Sequence, residues 1–121
     1  MPIALDPPYL PEVPGDPAGM RVLAGTLRGH AGAVGGLASG VESDVTGMTF
    51  EGPAAEDFRS RMNVVTQLYR DAQTELHDLA RQLEVSAAEV EAQQAARAAR
   101  LEQMWAEYHE TQRQLAAGAA R

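Results

Sequence analysis

The sequence predicts an all-α fold, an antiparallel two-helix hairpin with a long second helix. Apolar residues recur at steps of three and four through two long segments, which is the spacing of one helix face. Between these segments lies MTFEGPAAEDF, residues 48 to 58, where Gly52-Pro53 is a strong signal for a chain reversal. A second hairpin would complete a four-helix bundle, so the prediction includes dimerisation.

The composition of the chain excludes several functional classes. Its 121 residues suit a single domain. It carries 17 acidic against 10 basic residues, a net charge of −7, and every basic residue is Arg. This balance argues against nucleic acid and anionic membranes as partners. There is no cysteine for a disulfide or a thiolate metal site, and the apolar runs are far shorter than the roughly 20 residues of a membrane span.

The N-terminal part of the chain is a proline-rich leader, residues 1–16, followed by the first helix. Six of the seven prolines lie within residues 1–17, which predicts an extended, polyproline-like or disordered segment. Asp16-Pro17 is a favourable helix start, with Asp at the N-cap and Pro at the first helical position. The predicted apolar seam of this helix consists of Leu23, Leu27, His30, Val34, Leu37, Val41 and Met48.

Glycines follow the same rhythm on the opposite face of the first helix, at Gly25, Gly29, Gly32 and Gly36. Each glycine within a helix costs roughly 1 kcal/mol relative to Ala. Such a helix is too weak to form alone, so packing against another helix must hold it. The stripe would serve either as a contact for a close helical neighbour or as a solvent-facing surface.

The second helix is predicted to begin at Pro53 and to continue well beyond residue 90, because no Gly or Pro occurs from 54 to 117. Its seam turns polar at Gln94 and Arg97 and then resumes. We therefore divide the chain into the leader, a hairpin over 17–95 and a helical C-terminal extension over 96–121 with a frayed end. The extension carries an apolar patch that either packs against a partner helix as core or serves as a docking patch for a chaperone or secretion component: Leu101, Met104, Trp105 and Tyr108.

Two helices of this kind bury one stripe each and enclose little core, so the sequence predicts a partner hairpin. It leaves open whether that partner is a second copy or a different chain. The predicted interface combines seam residues of both helices: Leu23, Leu27, Val34, Leu37, Met62, Tyr69, Leu76, Leu79 and Leu83.

The turn carries a family resemblance. Phe50-Glu51-Gly52, followed by PAAEDFRSRM at the start of the second helix, resembles the Trp-x-Gly turn of the WXG family. These are small helical-hairpin proteins exported by type VII secretion. Related domains form the N-terminal targeting domains of actinobacterial toxins. VPGDPAGMRVLAGTLR, residues 13–28, resembles the start of those toxin domains. The resemblance implies pairing with a like hairpin, export through an ATPase-driven machine and no enzymatic activity.

The chain departs from that family at two points. Phe50 replaces the Trp, and the export signal Tyr-x-x-x-Asp/Glu is absent. Tyr69 and Tyr108 are followed four residues later by Gln73 and Gln112. Phe50 and Gly52 are thus either half of an export signal or a turn alone.

No arrangement of residues in the sequence predicts catalysis, a cofactor or a metal site. The histidines lack a second His at i+4, and no nucleophile motif surrounds a serine. The leading interpretation is a non-enzymatic type VII secretion substrate or targeting module, cytoplasmic before export. The alternative is a cytosolic coiled-coil adaptor or assembly protein that is not exported.

Overall fold

The computed structural model describes residues 5–119, which contain two helices and no strand. Helix α1 spans Pro17–Thr46 and helix α2 spans Pro53–Ala119. They pack as a hairpin, so the predicted all-α fold is confirmed. The described residues fall into two compact units. One is the hairpin, residues 18–87, and the other combines residues 5–17 with 88–119.

Each of the two helices begins at a proline. Helix α1 begins at Pro17 directly after Asp16, and α2 begins at Pro53 directly after Gly52. Gly52 has a φ of 113°, a backbone conformation that side chains with a Cβ rarely adopt. Its carbonyl accepts a hydrogen bond from the backbone N–H of Glu56 at 3.0 Å, which closes the first turn of α2. The reversal therefore depends on a glycine followed by a proline.

Small residues form the contact line between the two helices within the hairpin. On α1 the buried residues include Ala24, Ala31 and Ala38, which recur every seven positions. On α2 the buried residues are Ala55, Thr66, Ala80 and Ala87. None of the large side chains among the described residues is fully buried. Because the contact line is narrow and consists of small residues, most of the leucines and valines lie beside it.

The glycines of α1 differ in what surrounds them. Gly35 is buried, and a Cβ there would lie 2.5 Å from the side-chain nitrogen of Gln73. Gly25, Gly29, Gly32 and Gly36 have open space at their Cβ positions. These four glycines therefore lie on the side of α1 that faces away from the contact line, as the sequence predicts.

Candidate interaction surfaces

Ion pairs join α1 to α2 along one side of the hairpin, among them Arg28–Glu84 and Arg70–Glu42. Arg28 donates two parallel hydrogen bonds to the carboxylate of Glu84, one of which measures 2.9 Å from Nη2 to Oε2. Closer to the turn, Nη2 of Arg70 lies 3.3 Å from both carboxylate oxygens of Glu42 and 3.3 Å from the hydroxyl of Ser39. We call the four charged residues the polar flank.

The Arg28–Glu84 pair changes the acidity of both partners. The hydrogen bond from Arg28 lowers the pKa of the Glu84 carboxyl below its ordinary value. The same bond raises the pKa of the Arg28 guanidinium. Both side chains remain about two-fifths exposed, and exposed ion pairs add little to stability. The pair forms between α1 and α2 in the observed register of the two helices.

The position of the polar flank follows from helix geometry. Each of its residues comes four positions after a buried residue: Arg28 after Ala24, Glu42 after Ala38, Arg70 after Thr66, and Glu84 after Ala80. Four positions correspond to about 40° of rotation around a helix. A residue one position before a buried residue lies about 100° in the opposite sense. The polar-flank residues of α1 and α2 meet on one side of the hairpin. Residues rotated in the opposite sense on the two helices therefore lie together on the other side.

That common side is open and mainly apolar, with His30 before Ala31 and Ser86 before Ala87 as polar members. Leu23, Leu37 and Leu79 each come directly before a buried alanine, and they are 49%, 56% and 48% exposed. The other predicted interface residues are half-buried on the same side, four positions before or three after a buried residue: Leu27, Val34, Met62, Tyr69, Leu76 and Leu83. We call these nine residues the apolar flank. The hairpin therefore has one side closed by ion pairs and one side with exposed leucines.

A groove lies at the turn of the hairpin. Its volume is about 350 Å³, and it is lined by Val41, Asp44, Val45, Met48, Phe50, Phe58 and Met62. The side chain of Phe50 is 54% exposed, while its backbone carbonyl accepts a hydrogen bond from Nη2 of Arg59 at 3.0 Å. Asp44 is the one charged residue of the lining. The turn thus presents an aromatic ring on a fixed backbone beside an apolar groove.

The predicted docking patch on α2 lies beside the leader. Leu101, Met104 and Tyr108 are half-buried, whereas Trp105 is exposed. The ring of Trp105 packs edge-on against the ring of Tyr108, with 5.3 Å between centroids. Met104 and Tyr108 line a cleft of about 280 Å³ that Leu5, Asp6 and Pro8 of the leader also line. The leader and the predicted docking patch therefore line the same cleft.

Side chains of α2 hold the leader by its backbone. Nε2 of Gln94 donates to the carbonyls of Val13 and Gly15, both at 3.2 Å. The guanidinium of Arg97 donates to the carbonyl of Pro11 at 3.0 Å and to that of Leu10 at 3.0 Å. We call Gln94 and Arg97 the clamp.

The clamp and the polar flank were not identified as functional residues from the sequence. A signal for the clamp is present, because Gln94 and Arg97 are the polar break in an otherwise apolar seam. The ion pairs of the polar flank join residues 28 and 56 positions apart, and only the register of the two helices brings them together.

Residues 5–119 offer neither a metal site nor a membrane-spanning helix. This part of the chain holds no group of three or more His, Cys, Asp or Glu side chains arranged to bind a metal ion. Within the same residues, no helix has the length and apolar character to cross a membrane. Comparison of the chain with family models, with curated proteins and with solved structures finds no match.

Proposed function

We propose that this chain is a non-enzymatic interaction module that pairs with a second helical hairpin through its apolar flank. The observation that carries the proposal is the exposure of Leu23, Leu37 and Leu79 on the side of the hairpin opposite the ion pairs. Burying a leucine side chain completely is worth roughly 2 kcal/mol, so covering this side favours association. Two hairpins facing each other in this way make a four-helix bundle.

The cellular role we propose is that of a type VII secretion substrate, or of a targeting or partner module for one. This step depends on the resemblance of the turn to the WXG family. It is supported by Phe50, because a recognition residue must be accessible and this ring lies exposed beside an apolar groove. The missing Tyr-x-x-x-Asp/Glu would come from the partner hairpin. A secretion ATPase or a chaperone is then the second partner.

Association is tested by measuring the mass of the natural protein and of Leu79→Glu by light scattering. A charge at Leu79 would have to be buried in the proposed bundle, so we expect the natural protein to associate and the variant to be monomeric. Val85→Glu is the matched control, because Val85 is 58% exposed and lies about 140° around α2 from the buried Ala80. It should associate normally.

If the natural protein alone is monomeric, the partner is a different hairpin and must co-purify from the source cells. A chain that is monomeric and captures no helical partner there contradicts the pairing. Retention of an associating protein in the cytosol of a secretion-competent strain would favour the adaptor function over export.

A further inference from the structure

We propose that the C-terminal part of α2, from Val90 to Thr111, is a binding site for an extended, proline-containing peptide, and that the leader is the peptide that occupies it within the same chain. A segment of another protein with the same chemistry gains access only when the leader is displaced. This inference is independent of the pairing of hairpins and of export.

The chemical match between the leader and α2 is the first argument. Pro7, Pro8, Pro11 and Pro14 have no backbone N–H, so this segment offers more carbonyl acceptors than N–H donors. The clamp offers donors, and it binds the carbonyls of four leader residues: Leu10, Pro11, Val13 and Gly15. An extended proline-rich backbone presents its carbonyls in this way because it makes no internal hydrogen bonds.

The fit at the two ends of the site is the second argument. Near residue 90, Gly15 has a φ of 134°, and a Cβ there would lie 2.9 Å from Cγ1 of Val90. The backbone can approach α2 this closely only at a glycine. At the other end, Leu5 and Pro8 line the apolar cleft together with Met104 and Tyr108. The site therefore combines backbone recognition in the middle with shape recognition at both ends.

The leader belongs to the same chain as the site it occupies, and this lowers the apparent affinity of any competing peptide. A ligand that competes with a docked segment binds with an apparent affinity reduced by the fraction of molecules whose site is free. If the leader is docked nine-tenths of the time, a peptide supplied separately binds about tenfold more weakly than it would to the open site. The leader thus sets a threshold for access to Met104 and Tyr108.

The test uses the full chain and a synthetic peptide with the sequence of residues 5–16. Gly15→Val releases the leader without altering α2, because valine is strained at this φ and collides with Val90. Trp105 is the one tryptophan of the chain, so its indole N–H resonance gives a single reporter beside the site. We expect the peptide to bind Gly15→Val at least about tenfold more tightly than it binds the natural chain.

A second substitution tests the clamp in the Gly15→Val background, in which the leader is released. Arg97→Lys keeps the positive charge but loses the planar fork that bonds two carbonyls. Combined with Gly15→Val, it should weaken peptide binding at least about tenfold, since two hydrogen bonds to a charged group are lost or distorted. Arg113→Lys in the same background is the control, because Arg113 pairs with Glu110 on the helix surface and not with the leader. It should bind like its parent.

Proteolysis gives a second measurement that does not depend on the folding of Gly15→Val, because it compares single variants that keep Gly15. Chymotrypsin cleaves after Tyr9, which is exposed. Arg97→Lys should be cut there several-fold faster than Arg113→Lys, because its leader detaches more often. Equal cleavage rates, or equal peptide affinities of the natural chain and Gly15→Val, would overturn the proposal and leave the leader contact as packing alone.

Discussion

Arg28 and Glu84 lie 56 positions apart in the chain, and their side chains form a two-bond ion pair between α1 and α2. Planar pairs of this kind have directional requirements that a single-point contact lacks. The two bonds can form only in a register close to the observed one, and they lie on the side of the hairpin away from the exposed leucines of the apolar flank. The ion pair and the open side of the hairpin therefore belong to the same register.

The Arg28–Glu84 pair predicts a pH dependence of stability. The folded protein lowers the pKa of Glu84, so the stabilisation is complete above the ordinary glutamate pKa near 4.3 and is lost as the pH falls through the lower folded value. Glu84→Gln should therefore melt at a lower temperature than the natural protein at pH 7, and the difference should be smaller at pH 2. Thermal melts followed by circular dichroism at both pH values measure it.

Glu89→Gln is the matched control for this prediction, because Glu89 is exposed on the same helix. Its melting temperature should match that of the natural protein at pH 7. A difference for Glu84→Gln that persists undiminished at pH 2 would show that the ionised pair is not its source.

Phe50 separates the two interpretations of the turn. Since the ring is more than half exposed, Phe50→Ala should cost well under the roughly 3 kcal/mol of a buried phenylalanine. If the turn is part of an export signal, this variant should keep its melting temperature and its association while secretion stops. Phe50→Trp should retain all three properties.

The measurement for Phe50 is secretion from the source cells beside thermal stability of the purified protein. Phe58→Ala provides the comparison, because Phe58 lines the same groove from α2 but lies outside the turn motif. Normal export of a folded Phe50→Ala protein would remove the signal hypothesis and leave the turn as a structural feature.

Gly52 and Gly47 form a natural pair of positions for testing the turn. Gly52→Ala should destabilise the protein by about 1 kcal/mol, because alanine is strained at a φ of 113°. Gly47 has no positive φ, and a Cβ there would lie 3.5 Å from the carbonyl oxygen of Ser43, an ordinary contact. Gly47→Ala should therefore be neutral or slightly stabilising in denaturant unfolding. The reverse order of the two stabilities would contradict the assignment of Gly52 as the strained position.

The open glycines of α1 predict stabilising substitutions. Gly36→Ala should raise the free energy of unfolding by up to about 1 kcal/mol, because the added methyl meets nothing and alanine favours the helix. Gly35→Ala should gain less, since its methyl would displace the side-chain amide of Gln73. Urea unfolding of both variants measures the difference. A Gly36→Ala protein that unfolds more easily while its association weakens would instead assign the glycine stripe to an interface.

Much of the architecture could be predicted because it depends on local signals. Pro17 and Pro53 mark helix starts with their own backbone restrictions, and the spacing of apolar residues gives the helices between them. The contact line could not be read in the same way. The hydrophobic pattern draws attention to Leu23 and Leu37, whereas close approach of two helices selects the smaller Ala24 and Ala38.

The parts of the candidate sites that the sequence left out depend on long-range geometry. The polar flank requires the register of α1 against α2, which neither helix specifies alone. The clamp requires a segment near residue 12 to return to a helix near residue 95, and backbone carbonyls leave no side-chain pattern in the sequence. Phe50 and the predicted docking patch could be singled out from the sequence because aromatic residues are rare in this chain.

The uneven distribution of glycine between the helices has a consequence for how the hairpin folds. Helix α1 contains seven glycines, whereas the one glycine of α2 lies beside its C-terminal end at Gly118. Helix formation must first overcome a costly nucleus, and α2, with its many Ala, Glu, Gln and Arg residues, does so far more readily. We expect α2 to be largely helical in the rate-limiting step while α1 is still disordered. The first helix in the sequence would then be the second to form, and its structure would be acquired on the surface of the other.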